Sequence, residues 1–188
     1  MQKPKWIVGY SDVTVLHAKM QSLGVESLHA TMPINFQDNS KQALDTLFDA
    51  LCGKEIKYDL PQQTLDILSK MKGEVVGGNI SVLYSLLGSD IFPDVEGKVL
   101  FLEDLDEYLY HIDRMMMAFQ RAGIFDKISG LIIGGLTKMH DNTIPFGMTA
   151  EEIISEKIKD KNIPTVFNFP AGHVNDNRAI ILGRRICN

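Results

Sequence analysis

Residues 99–107 read VLFLEDLDE, four apolar residues followed by acids at four of the next five positions. A run this apolar, entered from Gly97 and Lys98, reads as a strand buried on both faces, as in a parallel sheet covered by helices. Glu103 stands at its carboxyl end, where open α/β sheets place their sites. Beyond it, Leu109, Ile112, Met116 and Phe119 recur at helical spacing up to Gly123. Ahead of it come Val75 and Val76, then Gly77 and Gly78, then a helix with Asn79 as N-cap and Gly88 as its stop. Downstream, Ile128 to Ile133 reads as a strand and Gly134–Gly135 as a turn. Thr149 with Glu152 forms a capping box for a helix containing Ile153, Ile154 and Ile158. Strand signals return at Thr165–Phe167 and Ala179–Leu182. Strands and helices alternate, so the fold class is α/β.

The chain opens with a brief apolar strand, Trp6 to Val8, that stops at Gly9. Val13, Leu16, Met20 and Leu23 then mark a helix up to Gly24. A polar stretch with Pro33 leads to a second helix, with Ala43, Leu44, Leu47, Phe48 and Leu51, closed by Gly53; Tyr58 to Gln63 has the look of a linker. A strand as apolar as residues 6–8 needs neighbours, yet the first ~55 residues show almost no other strand signal. The opening segment therefore reads as incomplete, either mobile or covered by a partner chain.

With 188 residues, 45% of them hydrophobic and 23% charged, the chain can bury a core. Nineteen Lys and Arg against 24 Asp and Glu give a net charge of -5, which argues against a nucleic-acid partner. Cys52 and Cys187 have no CxxC or Cys/His spacing, so neither a disulfide framework nor a zinc ribbon is expected. The longest apolar runs fall short of the ~20 residues a membrane span needs, and the amino terminus lacks a signal-peptide pattern. A cytoplasmic location is expected.

Gly9, Tyr10, Ser11 and Asp12 lie where the first strand passes into a helix. A serine on such a sharp turn has its hydroxyl pushed out beside the free N–H groups of the helix start, the geometry of a nucleophile elbow. The pattern departs from G-x-S-x-G, because Val13 stands in place of the second glycine, and Ser11 equally suits a plain helix cap. A serine nucleophile needs a base, and a histidine base is best oriented by a carboxylate. Of five histidines, His17 and His111 lie in helical patterns and read as surface or core-edge residues. His29 falls in the loop before Pro33 and His140 in a polar loop. His173 follows a strand in the loop FPAGH, a setting that suits catalysis as well as plain solvation. The acids after Glu103 suit a helix start, and no H-E-x-x-H or comparable ligand spacing supports a metal. Gly77–Gly78–Asn79 matches neither a P-loop nor G-x-G-x-x-G, so no nucleotide cofactor is expected.

Four segments in this order, PKWIVGYSDVTVLH, GGNISVLYSLLGS, GKVLFLEDLDEYLYHIDRMM and FPAGHVNDNRAIILG, resemble the LD-carboxypeptidase family of serine peptidases, which includes the microcin-immunity peptidases. The resemblance implies a nucleophile in the G-x-S-D turn, Ser11; a glutamate in the L-E-D segment, Glu103; and a histidine in the G-H segment, His173. It implies an oxyanion hole fed by the backbone N–H of Asp12 and by a glycine-rich segment not found here. It implies a flavodoxin-like amino-terminal domain, here a remnant, followed by a swivelling β/β/α carboxy-terminal domain. On this division residues 1–58 belong to the first domain, 59–72 to a linker and 73–188 to the second. The family pattern has a long stretch before the G-x-S-D turn, whereas eight residues precede it here.

The function expected from this resemblance is release of the terminal D-alanine from a murein tetrapeptide in peptidoglycan recycling, with a peptidoglycan-derived peptide as the partner and no metal or cofactor; the chain by itself, without the glycine-rich oxyanion segment, is expected to have low or no activity. A peptide-nucleotide toxin is the alternative substrate. A truncated, non-catalytic binding module is the alternative from a different class, and a homodimer is left open.

Overall fold

The computed structural model describes residues 5–186, so Cys187 lies outside the described residues. The first half contains β1 (Val8–Gly9), α1 (Thr14–Ser22), β2 (Ser27–His29), α2 (Lys41–Leu51) and α3 (Gln62–Leu68). The second contains β3 (Val75–Asn79), α4 (Ile80–Leu86), β4 (Val99–Leu105), α5 (Leu109–Arg121), α6 (Ile124–Lys127), β5 (Gly130–Thr137), α7 (Ala150–Ile158), β6 (Thr165–Val166) and β7 (Ile180–Leu182). Strands β3, β4, β5 and β6 form a parallel sheet in that order, with helices in each crossover. A second sheet has the order β1-β2-β7, with β1 parallel and β7 antiparallel to β2. The class is mixed α/β with a parallel sheet.

Strand alternation along β4 separates two cores. Leu100 and Leu102 face Ile112, Met115, Met116 and Phe119 of α5 and Ile153 and Ile154 of α7. Val99 and Phe101 face Leu68, Phe169, Ile180 and Leu182. Each of these fully buried side chains contributes about 1.5–3 kcal/mol relative to exposure. The helix signals that flank β4 hold because they are local. The Asn79 side chain accepts from the Val82 N–H, and Thr149 and Glu152 complete the capping box of α7.

Several expectations about the framework change. The first segment holds a strand that the sequence did not signal, β2, which bridges β1 to β7 and leaves β1 at the edge of its sheet. Its three residues are too few to give a periodic signal, and His29 interrupts the apolar run. The helix expected from Val13 to Leu23 forms as α1, but rotated. Leu16 and Leu23 are 51% and 58% exposed, whereas Thr14, His17 and Ala18 are buried. That polar face packs towards β3, where Thr14 Oγ1 accepts from the Asn79 N–H at 3.0 Å. Finally, Gly134–Gly135 is not a turn but part of β5, at a register shift where two residues oppose the single Glu103 of β4. The stretch read as a linker carries α3, which buries Leu68.

Candidate active site

Glu103 lies at the bulge on the Phe101 face of β4, with a fully buried side chain. The bulge lets the loop after β6 lie against it. A Cβ on Gly134 would come within 2.5 Å of the Ala171 carbonyl oxygen and 3.2 Å of Glu103 Cβ. At Gly172, φ is +100°, and a Cβ there would meet Glu103 Oε2 at 2.5 Å. Only glycine at these positions lets the loop seat His173 directly on the carboxylate. His173 Nδ1 is 2.7 Å from Glu103 Oε2, and the His173 backbone N–H donates to the same oxygen at 3.2 Å. Thr137 Oγ1 donates to the His173 carbonyl oxygen, and Asn177 Oδ1 accepts from the Gly172 N–H, so both sides of the loop are tied down.

Glu103 accepts at Oε2, so His173 Nδ1 carries the hydrogen and Nε2 keeps its lone pair, as a proton acceptor requires. Burial pushes the Glu103 carboxyl upward, but the hydrogen bond from His173 and the nearness of the His29 imidazole prevail and hold it well below the usual carboxylate range. The carboxylate stays ionised, as a group that must stabilise an imidazolium requires.

Ser11 begins a 3-10 turn that runs into α1 and has φ +62°, the left-handed region that an elbow imposes on its nucleophile. Val13 N–H bonds back to the Tyr10 carbonyl, while the N–H groups at the start of the turn have no carbonyl of their own helix to bond. The Asp12 N–H is one of these. The structure records no hydrogen bond between Ser11 and His173. The ring of Tyr10, the residue before Ser11, packs edge-on to the His173 ring with centroids 4.7 Å apart.

Two histidines change place relative to the sequence reading. His17, which reads as a surface or core-edge residue, is fully buried. Its Nε2 lies 3.0 Å from the Gly9 carbonyl oxygen, which can only accept, so that nitrogen bears the hydrogen and Nδ1 accepts from Ser27 Oγ at 2.9 Å. His17 thereby braces the residue two before Ser11. His29 lies not in a loop but at the end of β2, fully buried. The run Ser27-Leu28-His29-Ala30, apolar on either side of the histidine, was the available signal. His140 and His111 pair with Asp106 and Glu107, each at 2.6 Å. Among the described residues, no group of three or more His, Cys, Asp or Glu side chains could hold a metal ion.

Behind the site, Asp104 points to the opposite face and caps α4, accepting from Asn79 Nδ2 and the Ser81 N–H, each at 2.9 Å. Burial raises its carboxyl to about 6 against those bonds. Burial, aided by the nearby His29, lowers His17 to about 4. As pH falls from 6.5 towards 4, the unfolded chain protonates His17 while the folded chain does not. Stability is lost, on the order of 3 kcal/mol at about 1.4 kcal/mol per unit. Over nearly the same window the folded chain protonates Asp104 before the unfolded one does, and a similar amount is regained. The two offset each other, so an Asp104→Asn variant should lose stability on acidification where the parent stays nearly flat. Denaturation midpoints across this pH range check it; an equally flat variant profile rules the cancellation out.

Hydrolases that act through an activated serine combine an imidazole–carboxylate pair with a serine on a strained strand-to-helix turn, and this chain carries both elements. Residues 72–187 match the LD-carboxypeptidase C-terminal domain, and residues 1–30 match the N-terminal domain of the same family. The chain belongs to the LD-carboxypeptidase family. A probable murein peptide carboxypeptidase of Bacillus subtilis is 31% identical, over 97% of this chain and 59% of its own length. The microcin C7 self-immunity protein of Escherichia coli is 25% identical, over 97% of this chain and 62% of its own length. A crystal structure of muramoyltetrapeptide carboxypeptidase from Oxalobacter formigenes superposes with a TM-score of 0.80 at 26% identity, covering 95% of this chain and 63% of that one. The chain thus spans about three fifths of the length of the relatives it matches.

Proposed function

We propose that Ser11, His173 and Glu103 form the catalytic triad of a serine carboxypeptidase that releases the terminal D-alanine from a murein tetrapeptide. The observation that carries this reading is the buried His173–Glu103 bond of 2.7 Å, with the His173 ring packed on the neighbour of Ser11. Ser11 Oγ attacks the carbonyl carbon while His173 Nε2 takes its proton. The Asp12 N–H receives the developing oxyanion. Glu103 stabilises the imidazolium, which then protonates the departing amine of D-alanine; water repeats the sequence to free the acyl group. The division into residues 1–58, 59–72 and 73–188 belongs to the same proposal, as do a place in peptidoglycan recycling and a cytoplasmic location. Among the described residues no helix is long and apolar enough to cross a membrane.

A second substrate, a peptide joined to a nucleotide, is favoured by the likeness to the microcin C7 self-immunity protein. Parallel incubations with murein tetrapeptide and with an aminoacyl sulfamoyl nucleotide, followed by mass spectrometry, separate the two. D-Alanine release from the first supports our reading, and cleavage of the second alone transfers it to the alternative. A folded chain that cleaves neither, and whose Ser11 takes no fluorophosphonate label, is a binding module instead. The three groups supply nucleophile, base and charge without a Lewis acid, so turnover should persist in EDTA. Loss of turnover that zinc or magnesium restores would refute this mechanism.

A further inference from the structure

Glu103 uses one carboxylate oxygen, Oε2, for both bonds to His173. Its other oxygen, Oε1, is buried with no hydrogen-bond partner, and both ring nitrogens of His29 are buried in the same condition. The two orphans face each other, with His29 Nε2 3.9 Å from Glu103 Oε1 and both side chains fully buried. A buried carboxylate oxygen and a buried imidazole left unpaired each carry a large desolvation penalty, and pairing Nε2 with Oε1 satisfies the oxygen and one of the two ring nitrogens. The gap is too narrow for an intervening water. Two bonds of ordinary length to one water would hold the atoms roughly 4.6 Å apart.

We propose that His29 is a positioning residue for this site, donating Nε2–H to Glu103 Oε1 so that two imidazoles clamp the carboxylate from opposite ends. This rests on the reading of Ser11, His173 and Glu103 given above. The backbone of β2 fixes where His29 stands, because residue 29 pairs with Gly9 on one side and Ile180 on the other. Phe101 meets its ring edge-on, with centroids 4.8 Å apart, and blocks rotation on that side. The other titratable groups around it are Tyr10 on the elbow and His17 on α1, each with its ring 6.2 Å away, and His173 across Glu103. Tyr10 and His17 already bond elsewhere, to Asn35 Oδ1 and to Gly9 and Ser27. Glu103 Oε1 is the unsatisfied acceptor that His29 faces. With both oxygens held, the carboxylate cannot turn about its last torsion, and the His173 ring keeps Nε2 towards Ser11.

Nitrogen-15 NMR of the histidine rings tests this on the chain itself. The expected result is the Nε2–H form for His29, with a slowly exchanging ring proton. The Nδ1–H form in the wild-type chain overturns the proposal without any variant. His29→Phe fills the site but donates nothing, so the His173 Nδ1 proton should exchange faster and kcat for D-alanine release should fall about 10- to 100-fold with KM nearly unchanged. His29→Gln, which can place an amide donor near the Nε2 position, should restore most of both. A folded His29→Phe chain with an unaltered His173 Nδ1 proton overturns the proposal. The NMR readouts do not depend on turnover. A chain that passes them yet releases no D-alanine keeps the clamp and loses the peptidase reading, whereas an active, Ser11-dependent chain that fails them loses the clamp alone.

Discussion

Replacing Ser11 by alanine should remove D-alanine release by at least about four orders of magnitude, while the chain stays folded. The size follows from the role. Without the hydroxyl no acyl intermediate forms, and His173 has no nucleophile to activate; what remains is binding and a single oxyanion donor. Ser11 is partly exposed and makes no recorded side-chain hydrogen bond, so its loss should cost the fold little. Alanine also has to adopt the φ of +62° that Ser11 holds, a strain the serine already bears. Turnover under saturating peptide, beside a thermal melt, makes the measurement. Near-normal turnover by a folded Ser11→Ala chain would remove the serine from the mechanism.

Glu103→Gln should lower kcat by about 10³- to 10⁴-fold with little change in KM. The amide is the same size but uncharged. It either offers its oxygen to the His173 Nδ1–H and gives no charge to the imidazolium, or turns its NH₂ towards His173 and forces the wrong tautomer. Glu103 Oε2 accepts both the backbone N–H and Nδ1 of His173, so the second orientation also breaks two bonds that hold the loop. Steady-state kinetics beside circular dichroism separates a chemical defect from a misfolded chain. A folded variant within tenfold of the parent would mean that Glu103 only packs the loop.

Much of this architecture could be read along the chain, because its determinants are local. The apolar run at residues 99–102, the Asn79 cap, the stop near Gly88, the α5 face at Ile112, Met116 and Phe119 and the Thr149–Glu152 box all act within one element. Glu103 at the end of a buried strand, Ser11 at a strand-to-helix turn and His173 in a loop after a strand were legible for the same reason. Their relation was not. His173 and Glu103 are 70 residues apart, and nothing in spacing says that the carboxylate meets Nδ1. The two glycines at 134 and 135 look like a turn until the loop they admit is in place. α1 showed its period but not its phase, since its inward face is polar and its use depends on Asn79, Ser27 and Gly9 from other elements. β2 was invisible at three residues, and with it the burial of His29. Local stretches of chain encode the alternating strands and helices, their caps and the residue types suited to act as nucleophile, base and carboxylate. The tertiary structure decided which carboxylate oxygen meets which imidazole and which histidines are shut away from water, because those outcomes depend on long-range packing and desolvation that no local stretch of chain encodes.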